Sequence, residues 1–186
     1  LNGMLTSLAT NYNRRNKDVR LYELGNVYLP KALPLTELPE ERMQFTLGMY
    51  GEGDFFSMKG VVEEFFDKVG LTGKKTYDPN GDHPYLHPGR QADIYYDGAR
   101  MGYLGEVHPD VADAYGIGTK AYIAVIDMPE VTDRASFDRK YEGIARFPAV
   151  TRDISMTMPR EILAGQIEEI FDQRGGNILE SYQLFD

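Results

Sequence analysis

Apolar residues open the chain at Leu5, Leu8, Ala9 and Tyr12, the i, i+3, i+4, i+7 spacing of one helical face. That stripe stops at the polar run Asn13 to Asn16. Val19 to Leu29 reads as extended, broken by Gly25, and the proline-bearing stretch 30–41 reads as a loop. Met43, Phe45, Leu47 and Met49 alternate with Gln44, Thr46, Gly48 and Tyr50, the period of a half-buried strand. Met58, Val62, Phe65, Phe66 and Val69 then form the broadest helical face in the chain. Asp54 or Ser57 is placed to cap the start of that helix, and Gly70 to end it. The stretch 70–91 is rich in Gly, Pro and Asp and predicts a long loop of the kind that usually binds something.

Asp97-Gly98 lies between two alternating runs, a type I′ hairpin signal because both central residues need positive φ. A short helix is expected after Pro109, running to about Tyr115. Tyr122 to Ile126 is apolar on both faces and predicts a central strand covered on both sides. Beyond residue 140 the pattern restarts after a junction at Arg146 to Thr151. Ile154, Met156 and Met158 predict a strand, Leu163, Ile167, Ile170 and Phe171 a helix ending at Gly175-Gly176, and Ile178 to Phe185 a second strand. The fold class is therefore α+β, an antiparallel or mixed sheet flanked by helices, followed by a β-α-β unit. One helix on two strands buries too little apolar surface to order itself. The second unit is expected to be truncated and to lean on the first.

Composition narrows the function classes. The chain has 186 residues, 42% hydrophobic and 26% charged, which is ordinary for a folded soluble domain. No run reaches the ~18 apolar residues of a membrane span. The start, Leu1-Asn2-Gly3-Met4, has no signal-peptide pattern and no initiator Met, and suggests a chain beginning inside something larger. With no cysteine there is no disulfide framework, thiolate metal site or thiol nucleophile, and an intracellular location is the simplest expectation. The net charge of −9 argues against a protein built mainly to grip phosphates. The densest basic cluster, Arg14, Arg15, Lys17 and Arg20, reads as a solvated helix end.

Three histidines need separate weighing. His83 and His87 have a spacing that would suit a metal on a helix, but Pro84 and Pro88 argue against the helix, and loop histidines fixing turns are the alternative. His87, Arg90, Glu106 and His108 are candidates to converge in a vestigial pocket or contact surface. Tyr77, Tyr85, Tyr95, Tyr96 and Tyr103, among 13 tyrosines, are candidates for a subunit contact or for half-buried strand positions.

Five separated blocks carry a family resemblance. They are Asn11-Tyr12-Asn13-Arg14-Arg15-Asn16-Lys17-Asp18-Val19-Arg20-Leu21-Tyr22-Glu23-Leu24-Gly25, Asp54-Phe55-Phe56-Ser57-Met58-Lys59-Gly60-Val61-Val62-Glu63, His87-Pro88-Gly89-Arg90-Gln91-Ala92, Gly102-Tyr103-Leu104-Gly105-Glu106-Val107-His108-Pro109 and Phe147-Pro148-Ala149-Val150-Thr151-Arg152-Asp153. In this order the chain resembles the C-terminal part of bacterial phenylalanyl-tRNA synthetase beta subunits. The resemblance implies a class II synthetase-like, non-catalytic module over residues 1–143. It further implies, over 144–186, the start of a ferredoxin-like anticodon-binding domain, here a truncated β-α-β. It implies two alpha and two beta chains, an active site on alpha that uses ATP and Mg²⁺, tRNA(Phe) bound through the complete subunit, and a cytoplasmic setting.

Working class II synthetases carry Phe-Arg-x-Glu after a Glu-x-Gly turn. Here Glu23-Leu24-Gly25 leads to Tyr28-Leu29-Pro30-Lys31, so Leu29 and Lys31 stand where the arginine and glutamate would be. Gly116-Ile117-Gly118-Thr119-Lys120 runs into the strand Tyr122 to Ile126 without the second phosphate-binding arginine. No catalytic, cofactor or metal residue is therefore expected on this chain. The expected role is a scaffold that docks the catalytic alpha subunit and, with the rest of the subunit, positions tRNA(Phe). The available tRNA-facing cations are Arg152, Arg160 and Arg174. Residues 145–186 hold four basic and seven acidic residues, a net −3, so strong salt-sensitive RNA binding is not expected. Two other classes remain: a stand-alone RNA- or protein-binding module derived from the class II fold, and a residual ligase with an unrecognised nucleotide site, which pyrophosphate exchange would reveal.

Overall fold

The stripe at the chain's start winds into α1 (Asn2–Asn13), whose buried side chains are Met4, Leu5, Leu8 and Ala9. We describe the chain from a computed structural model, which covers residues 1–138, 141, 143 and 147–185; Arg146 of the expected junction lies outside the described residues. Two compact units divide it, residues 1–139 and 140–186.

In the first unit, β1 (Val19–Leu29), β2 (Glu40–Tyr50), β3 (Lys75–Asp78), β4 (Leu86–Tyr96), β5 (Ala99–Val107) and β6 (Ala121–Asp127) form one sheet in the order β1-β2-β6-β5-β4-β3. Every neighbouring pair is antiparallel. Between the strands run α2 (Phe55–Lys68), α3 (Pro109–Tyr115) and α4 (Met128–Arg134). Strand β6 is buried along its whole length, as its two-faced apolar run predicts. One face packs Ala121 and Ile123 with Leu5 and Leu8 of α1 and Ala112 of α3. The other packs Ala124 and Ile126 with Met58, Val62 and Phe66 of α2 and Val131 of α4.

Local chemistry sets the boundaries. Asp54 accepts the Ser57 N–H at 2.9 Å while Ser57 Oγ accepts the Asp54 N–H at 3.2 Å, a reciprocal cap on α2. Asp97 (φ 46°) and Gly98 (φ 81°) turn β4 into β5, as the Asp-Gly pair predicts. A Cβ at Gly102 would meet the Val125 carbonyl oxygen of β6 at 2.0 Å, so only glycine fits where these strands close up.

Four expectations are corrected. Gly25 does not break β1, which pairs with β2 in unbroken register from Val19↔Tyr50 to Leu29↔Glu40. From Thr46 onward β2 is buried on both faces rather than one, because α1 covers its Gly48 side and α2 its Leu47 side. The stretch 70–91 contains β3 and the start of β4; the register shift between Leu86 and Gln91 lets the strand pass Pro88-Gly89. In the second unit α5 (Ala164–Gly175) forms as the periodicity predicts. Residues 154–158 and 179–185, however, form no strand, and a short 3₁₀ turn occupies Gly176–Ile178. A strand exists only by its ladder partner, and no such partner occurs among the described residues of this unit.

Candidate functional site: a polar sheet face

Direct cross-strand partners share a sheet face, so register decides which side chains meet. Leu29, Val27, Gly25 and Glu23 of β1 stand opposite Glu40, Arg42, Gln44 and Thr46 of β2. Gln44 and Thr46 in turn stand opposite Asp127 and Val125 of β6, then Tyr103 of β5 and Asp93 of β4. This row lies on the α1 side of the sheet, beyond the part that α1 covers. It is the face that carries Leu29 at the end of β1.

The face is polar and internally neutralised. Gln44 Nε2 donates to Asp127 Oδ1 at 3.3 Å, and Arg42 Nη1 lies 3.7 Å from Asp127 Oδ2. Arg100 donates to Asp93 Oδ1 from Nη2 at 2.7 Å and from Nε at 3.2 Å. His83 bridges Asp93 (Nε2, 3.0 Å) and the Tyr85 hydroxyl (Nδ1, 3.2 Å) and stacks on the Tyr103 ring at 4.2 Å. Burial alone would raise the Asp93 carboxyl pKa, but hydrogen bonds from His83 and Arg100 outweigh it and hold the carboxyl below the usual range. Burial, then the hydrogen bond with Tyr85, pushes the Tyr103 phenol well up, so it stays protonated. A triphosphate laid here would meet the carboxylates of Asp93 and Asp127 together with two arginines already engaged by them. The donor set does not fit ATP.

The expected cluster separates. Arg90 Nη1 donates to both oxygens of Glu106, at 2.9 and 3.0 Å, and Glu106 is buried. Glu106 stands opposite Tyr122, whose side chain packs in the α2-side core, so this pair lies on the other face of the sheet. Burial first, then the adjacent Glu106, raises the Tyr122 pKa. His87 Nδ1 accepts the Gly89 N–H at 3.1 Å, and His108 Nδ1 accepts the Asp110 N–H at 3.3 Å as the cap of α3. The structure thus joins Arg90 to Glu106 and uses both histidines within their own turns. Among the described residues no three His, Asp or Glu groups gather as metal ligands, and no helix is long and apolar enough to cross a membrane. Arg152, Arg160 and Arg174 are exposed; Arg152 donates to the Thr151 carbonyl, and Arg174 sits in the last turn of α5. The polar row escapes sequence reading because strands distant in order assemble it. The one local signal was the Asp97-Gly98 turn, which pairs Tyr96 with Ala99 and Tyr95 with Arg100; a register shift beyond Tyr95 then sets Asp93 opposite Tyr103.

The antiparallel sheet with helices on both faces matches a class II synthetase fold. Desulfitobacterium hafniense PylSc, a pyrrolysyl tRNA synthetase, superposes with a TM-score of 0.54 over 69% of this chain and 46% of that one, at 11% identity. Residues 1–128 match the family described as "Phenylalanyl tRNA synthetase beta chain CLM domain", and the chain belongs to that family. Relatives are the phenylalanine–tRNA ligase beta subunits of Clostridium acetobutylicum and Clostridium tetani, 42% and 40% identical over the whole of this chain. That of Halalkalibacterium halodurans is 31% identical over 98% of it. The chain spans 23–24% of the length of these relatives.

Proposed function

We propose that residues 1–143 form a scaffold that docks the catalytic alpha subunit of a phenylalanine–tRNA ligase. The observation that carries this reading is the β1–β2 hairpin. Where working class II synthetases present a phosphate-binding arginine, this hairpin presents Leu29, and its connecting loop exposes Leu33, Leu35 and Leu38. Several large apolar side chains exposed together on one loop of a folded domain favour a protein-binding surface over a nucleotide site. ATP and Mg²⁺ then act on the alpha subunit of an assembly of two alpha and two beta chains in the cytoplasm. The exposed side of Arg90, held by Glu106, together with His87 and His108, offers a second contact surface. Residues 144–186 are read as the start of a ferredoxin-like anticodon-binding domain, with Arg152, Arg160 and Arg174 as its tRNA-facing cations. That domain needs the rest of the subunit to complete its sheet and position tRNA(Phe).

The test is to mix the full-length beta subunit carrying Leu33→Asp, Leu35→Asp and Leu38→Asp with its alpha subunit and measure complex mass and charging. All three positions are exposed, so the fold should survive. Complex formation is expected to weaken at least tenfold, with charging lost in proportion. Undiminished assembly and charging would overturn the assignment of this loop.

A further inference from the structure

The lysines and arginines of the first unit fall into two sets. At least nine lie within 4.0 Å of a carboxylate oxygen, as Lys68 does with Glu64 on α2. Arg14, Arg15, Lys17 and Lys120 have no such partner among the described residues, and all four are exposed. They come from two segments that meet. Tyr12, Asn13, Arg15, Lys17 and Tyr50 line an open depression of about 550 Å³ together with Thr119, the residue before Lys120. Tyr12 closes against this second segment, where a Cβ at Gly118 would lie 2.6 Å from its hydroxyl oxygen. Tyr50 Oη donates to the Asn16 carbonyl at 2.9 Å and fixes the turn that carries Arg15 and Lys17.

That turn is strained. Arg15 has φ 64°, the left-handed conformation in which helices end most readily on glycine or asparagine. Its N–H donates to the Tyr12 carbonyl at 2.8 Å, and the Asn16 N–H to the Asn11 carbonyl at 3.2 Å. A glycine would allow the same bonds without strain, so an arginine here is explained by its side chain. Complementing the negative end of α1 accounts for Arg14, its C-cap, but not for Lys120 from the other segment. Residues 11–20 hold four basic residues and one acidic in a chain of net charge −9. The acidic one, Asp18, is engaged by Arg20 and by the Glu52 N–H.

We propose that this depression binds the sugar–phosphate backbone of an RNA. Guanidinium, ammonium, amide and hydroxyl groups hold phosphate oxygens, and Arg15, Lys17, Asn13 and Thr119 supply one of each. None of the lining side chains is an exposed large hydrophobic, so the depression lacks the apolar centre of a protein-docking site. The site lies outside residues 144–186, where the RNA-facing cations named above fall. It rests on the reading that the complete subunit meets tRNA, and not on the alpha-docking loop.

The test uses the full-length beta subunit in complex with alpha and follows binding of a tRNA(Phe) transcript across a salt series. Arg15→Asn combined with Lys17→Gln is expected to weaken binding at least threefold. The slope of log K against log salt should fall by about 1–2. An unrelated tRNA transcript should be weakened by the same factor, because backbone contacts carry no sequence information. Lys68→Gln, which breaks the ion pair on α2, should leave the slope as it was. Arg15→Asn alone suits the left-handed turn, so it should melt no earlier than the parent while still binding tRNA more weakly. The proposal fails if the parent complex binds and the double variant keeps both affinity and slope. It also fails if the double variant loses alpha, read as complex mass, or if Arg15→Asn melts earlier. In either case the cations would be pairing with carboxylates elsewhere in the assembly. A parent complex that bound no tRNA would overturn both this site and the tRNA reading.

Discussion

The two units have similar apolar periodicity and opposite outcomes. In residues 1–139 the helical stripes of α1 and α2 find a six-stranded sheet between them, and Leu8, Val62, Phe66 and Ile126 are completely buried. In residues 140–186 the stripe Leu163, Ile167, Ile170 and Phe171 runs from the N-cap of α5 into the helix, yet no described residue there is buried. Its local contacts are modest: Phe171 and Tyr182 rings lie 5.5 Å apart, and the Tyr182 hydroxyl donates to Asp172 at 2.8 Å. That hydrogen bond, followed by burial, raises the Tyr182 phenol to about 12. An amphipathic pattern specifies a face, and stability comes only when a second layer covers it.

If that contrast is sound, substitutions should separate the units by size of effect. Phe66→Ala, at a completely buried position between α2 and the sheet, should cost about 3–5 kcal/mol in urea unfolding of the chain. A loss under 1 kcal/mol would mean the α2-side core is not what holds the first unit. Asp54→Ala removes the cap of α2 and should cost about 1 kcal/mol in the same measurement.

The His83–Asp93–Arg100 cluster should appear in the pH dependence. Asp93 has a lowered pKa in the folded state, so its contribution is fully present above the unfolded carboxylate value and is lost as pH falls through the folded value. Acid unfolding of Asp93→Asn should therefore show a smaller stability loss below about pH 4 than the parent chain. An unchanged acid limb would remove the cluster from the account. The smallest effect belongs to the second unit. Ile178→Ser, at a side chain 95% exposed, should move stability by less than about 0.5 kcal/mol.

The same physics decides what the sequence made legible. Helix α1, the capped helix α2, the Asp97-Gly98 hairpin and the two-faced strand β6 each carry their signal within a dozen residues. Gly25 and Pro88-Gly89 misled because pairing with neighbouring strands overrode their usual role as breakers, in unbroken register for β1 and through a register shift for β4. The polar row was hidden because Arg42, Asp127 and Asp93 come from three different strands and His83 from the loop before β4, brought onto one face by non-local register. His87, Arg90, Glu106 and His108 were candidates to converge; Arg90 and Glu106 pair with each other on the opposite face, while the two histidines bond within their own turns. The helix of the second unit was legible, whereas its strands depended on partners that local pattern cannot supply.

Amide hydrogen exchange along the 186-residue chain measures the contrast directly. The account predicts the slowest exchange in β2, β5 and β6, and exchange within residues 154–158 and 179–185 close to that of an unstructured peptide. Strong protection in both of those segments would show that the second unit builds its own β-α-β sheet, and would contradict the division of the molecule drawn here.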